Sequence, residues 1–272
     1  MSDALSELGA MDEEAIDLDL AALDLSALDH PGIDLAPYRL VLQEIGTALA
    51  AQAGGAATGE DQAAALQGVL HGGFGFTGDR EAYDAVVNAD MIRVIDRRRG
   101  LPVALSILYV AQARRMGWTA YPMDLPGHVL VRVGPAKNTV LLDPFNQGDR
   151  FPTERLAAMI GSLTGSSQAL PRIGPMSNHI VLLRLLLNQA ARAEEDCDIE
   201  RAIVCYERMK AVGPAYVHPR WELVRLHLLT QSYGPACSEL NALLEMATTD
   251  DLRTRIETML GAIGRQGSDR SG

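Results

Sequence analysis

Cysteine is scarce in this chain of 272 residues, and all of it lies late. The three cysteines are Cys197, Cys205 and Cys237. The first two thirds of the chain can therefore hold neither a disulfide nor a cysteine-based zinc site. An odd, widely spaced set of this kind is typical of reduced thiols that pack in a core. We expect three free cysteines in a reducing compartment.

Basic residues are also missing at one end. The segment 1–38 contains ten acids and no lysine or arginine, whereas the rest carries 25 acids against 24 bases. Nucleic acid is excluded as a partner, because its phosphates would meet an acidic segment and no compensating basic surplus. We interpret residues 1–38 as an acidic, partly disordered segment; a docking tail for a basic partner is the alternative.

Long apolar runs are absent as well. The strongest, from Ile180 to Leu187, is interrupted by Arg184, and a membrane span needs about 20 apolar residues. No basic residue precedes Arg39, which argues against a secretory signal. We therefore predict a cytoplasmic protein with no membrane partner.

The first part of the chain has helical spacing. Apolar residues recur at helical intervals in Tyr38–Ala51, in the stretch 60–69 and from Tyr83 to Arg98. Gly100-Leu101-Pro102 then marks a helix start, since proline at the first helical position loses no hydrogen bond. The following residues to Arg115 are apolar on nearly every face, so this helix should be buried and should close at Gly117.

After Gly117 the period changes to that of strands. Three short segments, 118–125, 128–133 and 139–143, are separated by turn residues and predict an antiparallel sheet. If paired residue numbers in the last two sum to 271, apolar residues face each other and His128 lies opposite Asp143. Such opposed side chains share one face of a sheet.

The C-terminal third, from His179 to Ile263, has the pattern of helices that repeat after about 34 residues, the period of tetratricopeptide repeats. Ala202, Tyr206 and Met209 recur as Ala236, Leu240 and Leu243. We predict three segments: the acidic one (1–38), an α+β domain with a small antiparallel sheet (39–175) and an all-helical repeat region with a capping helix (176–265).

A helix, then a strand with histidine, then a strand with aspartate is the order of the transglutaminase and papain-like core. In such sites a cysteine at the helix start is the nucleophile, a histidine is the base and a carboxylate orients it. Here the nucleophile's position is Pro102, which has no reactive group. We therefore expect no catalytic residue, and only a degenerate triad at Pro102, His128 and Asp143.

Three separated motifs give this interpretation a family. They are the stretch 97–109 around Arg-Arg-Arg-Gly-Leu-Pro, the stretch 126–132 beginning Pro-Gly-His, and Asp-Pro-Phe-Asn-Gln-Gly at 143–148. Together with Gly73–Gly78 and Asn88 they resemble the SirB family of bacterial proteins. That resemblance implies a transglutaminase-like domain joined to tetratricopeptide-type helices, with proline at the nucleophile's place and no activity to carry over. Ala89, Ile92 and Val129 depart from the family's pattern.

Two classes of function remain. The first is a non-catalytic regulatory or scaffold protein that binds a protein or peptide partner; the alternative is a cysteine-independent hydrolase or amide-transferring enzyme that uses His128 and Asp143. Ser106 is a poor substitute nucleophile, because a hydroxyl one turn into a helix favours a backbone carbonyl. His128, Asp124 and Asp143 lack a further metal ligand. We expect no metal and no cofactor.

Overall fold

The computed structural model describes residues 2–125, 128–164 and 174–269. The helices within these ranges are α1 (Ser2–Ala10), α2 (Leu18–Ala27), α3 (Ala36–Gln52), α4 (Gly59–Leu66), α5 (Met91–Arg97), α6 (Pro102–Arg115), α7 (Thr153–Thr164), α8 (Asn178–Glu195), α9 (Ile199–Val212), α10 (His218–Leu229), α11 (Tyr233–Met246) and α12 (Asp250–Asp269). The strands are β1 (Thr77–Gly78), β2 (Arg99–Gly100), β3 (Ala120–Leu125), β4 (His128–Val133), β5 (Val140–Asp143), β6 (Asp149–Arg150) and β7 (Gly174–Pro175). The fold is α+β, as the sequence predicts.

The chain divides into two compact units. The central unit runs from Met11 to Leu185, and the helical unit combines the residues up to Ala10 with those from Leu186 onward. The central unit holds the whole sheet, and the helical unit holds α1 and the C-terminal helices. The division into three segments that the sequence suggests stays a prediction.

Helix α6 forms the core of the central unit. Every residue from Val103 to Ala113 is buried, as its all-round apolar pattern predicts. Pro102 is its first residue, and Gly117 closes it with a φ of +74°. The amide of Trp118 donates to the carbonyl of Ala113 at 3.0 Å and that of Gly117 to Arg114 at 2.9 Å, the paired bonds of a Schellman ending.

The larger sheet has five antiparallel strands in the order β6-β5-β4-β3-β7, and β1 and β2 form a separate parallel pair. The three strands predicted from the change of period are confirmed as β3, β4 and β5. Leu130, Val131 and Val133 of β4 are fully buried, and this strand contacts α6. The sheet therefore packs its middle strand against the core helix.

The predicted register of β4 with β5 is wrong by two residues. Val131 pairs with Leu142 and Val133 with Val140, so paired numbers sum to 273. Gly134, with a φ of +115°, directly follows the last residue of β4. A shift of two keeps every side chain on its face; Val131 still opposes an apolar residue, whereas Arg132 opposes Leu141 where Thr139 was predicted. The sequence alone could not distinguish the two registers.

The helix predicted from Tyr83 to Arg98 is wrong in its first half. The chain forms a loop with a 3-10 turn at Val86–Ala89, and α5 begins only at Met91. Asp90 caps it by accepting from the amides of Ile92 at 3.0 Å and Arg93 at 3.3 Å. A side chain that caps a helix in this way starts it locally, whatever periodicity precedes it.

The acidic N-terminal segment is largely helical, and its acids bind cations of the central unit. Asp19 is fully buried and accepts from Arg115 at 2.5 and 2.6 Å. Burial raises the pKa of Asp19 to about 6, although Arg115 opposes this change. Asp24 pairs with Arg39 at 3.0 Å. These carboxylates are used within the chain, which argues against a free docking tail.

The helical unit repeats its backbone geometry with the period that the sequence shows. Helices α9 (Ile199–Val212) and α11 (Tyr233–Met246) have the same length. The turn before each holds a residue with a positive φ at the same place, Cys197 at 60° and Gln231 at 56°. The next amides, of Asp198 and Ser232, each donate at 2.7 Å to a carbonyl five positions earlier. The internal repeat seen in the sequence is therefore a structural one.

The cysteines do not all behave as predicted. Cys205 is buried in α9 and Cys237 is partly buried, but Cys197 is exposed. Cys197 occupies the turn before α9 and has a left-handed backbone with a φ of 60°. The expectation of three core thiols is wrong for Cys197.

Candidate functional site

The start of helix α6 is held by two neighbouring segments. The amide of Leu101 donates to the carbonyl of Asn88 at 2.9 Å, and Gly100 pairs with Gly78 in the parallel strands. Pro102 follows and is partly exposed. A side chain here reaches the surface at a helix N-terminus, where a thiolate would be stabilised, but proline supplies no such group.

Ser106 lies one turn further along α6 and is fully buried. Its hydroxyl donates to the carbonyl of Pro102 at 2.7 Å, and the carbonyl of Val129 in β4 lies 3.4 Å away. The prediction that this hydroxyl bonds a backbone carbonyl is confirmed. The serine links the core helix to the sheet.

His128 begins β4 and is partly exposed. Its ring lies 5.9 Å from the ring of Phe151, tilted by 59°. Across the described ranges, no hydrogen bond reaches the His128 imidazole and none joins it to Asp143. The opposed pair expected from the sequence is not formed.

Asp143 is buried and turns its carboxylate toward its own chain. It accepts from the amides of Phe145 at 3.1 Å and Asn146 at 3.2 Å, and from the Asn146 side chain at 2.5 Å. It thus caps the 3-10 turn Pro144–Asn146. Continued by one residue, the observed register places Asp143 level with Leu130, which explains why the histidine is out of line.

A second loop closes over this turn. The ring of Tyr83 meets Phe145 edge-on at 5.5 Å, and Arg80 donates to the side chain of Asn146. Gly78 approaches so closely that an added Cβ would lie 2.5 Å from the Phe145 carbonyl oxygen. Phe145 is only partly buried, and it anchors the loop.

Two of the arginines 97–99 make specific contacts within the central unit. Arg97 donates to Asp79 at 2.5 Å and to Asn88 at 2.7 Å, and Arg98 lies over the Phe76 ring at 4.8 Å. Burial opposes ionisation of Asp79, but the hydrogen bonds from Arg97 and Ala82 lower its pKa below the ordinary value. Asp79 was not recognised in the sequence, because an irregular loop separates it from Arg97 along the chain.

Tyr109 is a further group that the sequence did not single out. It is fully buried in α6, and among the described residues its hydroxyl has no hydrogen-bond partner. Burial, together with the charges of Asp149 and Asp143, raises its pKa. Gly148 lies directly against this hydroxyl, so the Asp-Pro-Phe-Asn-Gln-Gly turn covers it.

Metal ligands do not converge in this region. Asp124 forms an ion pair with Arg184. No group of three or more histidine, cysteine, aspartate or glutamate side chains is placed to hold a metal ion in the part of the chain that the structure describes.

These features define an α+β domain built around a buried helix and an antiparallel sheet. A family model for the transglutaminase-like superfamily matches residues 36–187. The chain belongs to the transglutaminase-like superfamily, and the predicted transglutaminase-like core is confirmed.

Curated relatives are similar over different lengths. The UPF0162 protein of Xylella fastidiosa (strain 9a5c) is 26% identical over 214 residues, which cover 77% of this chain and 76% of that protein. The UPF0162 protein of Vibrio cholerae is 34% identical over 74 residues, 27% of each chain. F-box only protein 21 of Mus musculus is 34% identical over 105 residues, 36% of this chain and 17% of that protein.

No helix in the described ranges combines the length and apolar character that a membrane span requires.

Proposed function

We propose that this protein is a transglutaminase-like pseudoenzyme that acts in the cytoplasm by binding another protein. The observation that carries the proposal is Pro102 at the start of α6, where a nucleophile would stand. Removing the nucleophile of a covalent mechanism costs several orders of magnitude in rate. A cleft that has no nucleophile can still bind a partner.

The neighbouring groups support the same conclusion. The Ser106 hydroxyl donates its hydrogen bond to the Pro102 carbonyl. The Asp143 carboxylate accepts hydrogen bonds from backbone amides of its own turn. A histidine acts as a base when a third group orients its ring. Within the described residues, the His128 ring has no such partner.

The partner surface that we propose is the helical unit, as a pair of tetratricopeptide-type repeats of the kind the SirB resemblance implies. The geometric repeat of α9 and α11 supports this proposal, because stacked helical repeats present extended surfaces for peptides. Leu229 of α10 is 62% exposed and Val204 of α9 is 41% exposed. A bound peptide or protein would cover these apolar side chains.

The proposed absence of catalytic activity is tested with acyl and alkylating probes on the intact protein. We expect no covalent adduct between residues 100 and 150, and no difference between the wild type and His128→Ala in hydrolysis of amide or ester substrates. An adduct in this stretch that His128→Ala abolishes would establish the hydrolase and overturn the proposal.

Partner binding is tested by affinity capture from native lysate with Leu229→Asp. The matched control is Leu40→Asp, since Leu40 is 54% exposed on α3 of the other unit. We expect Leu229→Asp to lose specific co-purifying proteins that the wild type and Leu40→Asp retain. If all three recover the same proteins, the helical surface is not the binding surface.

A further inference from the structure

A cleft of about 680 Å³ lies in the central unit at the C-terminal end of α6, the end opposite Pro102. Its walls are residues 13–18, the stretch from the last turn of α6 to Tyr121, and residues 176–178. The volume falls within the range of small-molecule sites, about 300 to 1,000 Å³. Trp118 and Tyr121 supply aromatic surface.

Most charges of this cleft are already paired. Arg115 binds Asp17 at 2.7 Å as well as the buried Asp19. The Glu13 carboxylate accepts from the amide of Asn178 at 2.5 Å and from the ring of His179 at 2.7 Å. These bonds fix the walls and leave those groups unavailable to a ligand.

Two charged groups of opposite sign are left over. Arg114 donates from Nε to the Ala120 carbonyl at 3.1 Å and from Nη1 to the Asn178 side chain at 2.7 Å. Both acceptors are neutral, and the described residues offer none to its Nη2. Glu14 likewise has no hydrogen-bond or ion-pair partner among them. Arg114 is partly buried, and because its acceptors are neutral its guanidinium can take a ligand anion.

A ligand with a single charge does not fit this lining well. An anion alone would lie beside the exposed carboxylate of Glu14, which is unpaired within the part of the chain that the structure describes. A cation alone would add a positive charge beside Arg114, whose two hydrogen-bond acceptors are neutral. A ligand that carries both charges satisfies both groups.

We propose that this cleft binds a free α-amino acid with an apolar side chain. Its carboxylate accepts from Arg114 Nη2, its ammonium group pairs with Glu14, and its side chain packs against Trp118. Each charge-assisted hydrogen bond of this kind contributes about 1.5 to 3 kcal/mol, so either half of the ligand alone should bind at least about tenfold more weakly. The inference does not depend on the proposed pseudoenzyme function.

The chain has two tryptophans, which makes a direct readout possible. Trp221→Phe leaves Trp118 as the sole indole, and its fluorescence reports on the cleft. We would titrate this variant with L-phenylalanine, with phenethylamine, which lacks the carboxylate, and with 3-phenylpropanoate, which lacks the ammonium group. We expect a saturable change with phenylalanine and at least about tenfold weaker binding of the other two.

Variants assign the two contacts. Glu14→Gln should weaken phenylalanine binding at least about fivefold and should not weaken 3-phenylpropanoate binding. Arg114→Gln should also weaken phenylalanine binding at least about fivefold and should not weaken phenethylamine binding. Circular dichroism checks that this variant folds. Asp12→Asn, an exposed acid outside the cleft, is the matched control and should bind like the parent.

Three results would overturn the proposal. Phenethylamine binding as tightly as phenylalanine would make this a cation site, and equal binding of 3-phenylpropanoate would make it an anion site. No saturable change with L-phenylalanine, L-leucine or L-methionine up to about 10 mM would exclude a specific site.

Discussion

The Ser106 hydroxyl donates a hydrogen bond of 2.7 Å to the carbonyl oxygen of Pro102, one turn earlier in α6. This bond occupies the only hydroxyl in the first two turns of the helix. Because the serine is fully buried, water cannot replace the Pro102 carbonyl as the partner of its hydroxyl. The helix start therefore lacks both a thiol and an available hydroxyl, and reactivity there depends on residue 102 alone.

The variant Pro102→Cys should create a reactive thiol without creating an enzyme. A cysteine at a helix N-terminus has a lowered pKa, so alkylation by iodoacetamide should be about three- to tenfold faster than for an ordinary thiol. Acyl transfer should stay at background, because His128 and Asp143 are not joined. Peptide mapping by mass spectrometry locates the adduct, since the wild type has no cysteine before Cys197.

Pro102→Ser is the matched control and should give no adduct with iodoacetamide or with an acyl probe. An ester hydrolysis by Pro102→Cys that a second change, His128→Ala, abolishes would contradict this prediction. It would show that the cleft still aligns a base with residue 102.

Local rules predicted the elements of this fold better than their alignment. The start of α6 at Pro102 and its end at Gly117 follow from residues next to each other in the chain, and both were predictable. The register of β4 with β5 was not, because shifts by two residues leave Val131 facing an apolar partner in either case. Because the observed pairing differs by two residues, His128 does not lie opposite Asp143 as predicted.

Contacts across irregular loops were equally hidden. Asp79 and Arg97 lie on either side of such a loop, and neither periodicity nor a turn motif links them. Asn88 was noted only for its resemblance to a family pattern, whereas the structure shows that its side chain donates to the Ala82 carbonyl at 2.6 Å. Such tertiary hydrogen bonds depend on where the loop folds, which the sequence does not specify locally.

Gly78→Ala should destabilise the central unit by about 1 to 3 kcal/mol, the range for overpacking. The new Cβ would lie 2.5 Å from the Phe145 carbonyl oxygen and 2.5 Å from its ring carbon Cγ, so the loop must move away from the turn. Chemical denaturation measures the change. Gly72→Ala is the control, because its nearest heavy atom is 4.0 Å away; equal stability of the two variants would contradict the close packing of Gly78 on Phe145.

Asp79→Asn should lower the free energy of unfolding near pH 7 by about 1 to 3 kcal/mol, since it leaves Arg97 without its anionic partner. The pKa of Asp79 is lower in the folded state than its ordinary value of 3.8. Its contribution to stability is therefore fully present above that value and is lost as the pH falls through the folded pKa.

The difference in unfolding free energy between wild type and Asp79→Asn should accordingly shrink below about pH 4. Urea denaturation at a series of pH values measures it. Glu81→Gln is the control, because the Glu81 side chain is 85% exposed and its ion pair with Arg99 at 3.3 Å should contribute less than about 1 kcal/mol. A difference for Asp79→Asn that is constant with pH would show that its charge is not what stabilises the loop.

Because the turns before α9 and α11 are equivalent in backbone geometry, we expect substitutions at Cys197 and Gln231 to have similar effects on stability. Both are non-glycine residues with positive φ angles, 60° and 56°, a conformation that costs about 1 to 2 kcal/mol for a residue with a Cβ. Glycine removes this strain but gains freedom in the unfolded chain, which returns about 0.4 to 1 kcal/mol. Cys197→Gly and Gln231→Gly should therefore each stabilise the helical unit by about 0.5 kcal/mol.

Thermal unfolding of the full chain measures both changes. Val204→Gly, in the middle of α9 where φ is helical, should instead destabilise by about 1 kcal/mol. If the two turns are equivalent, the changes at Cys197 and Gln231 agree in sign and size. Opposite signs would mean that the repeat reflects similar sequence without equivalent strain, and the helices would then have to be explained one at a time.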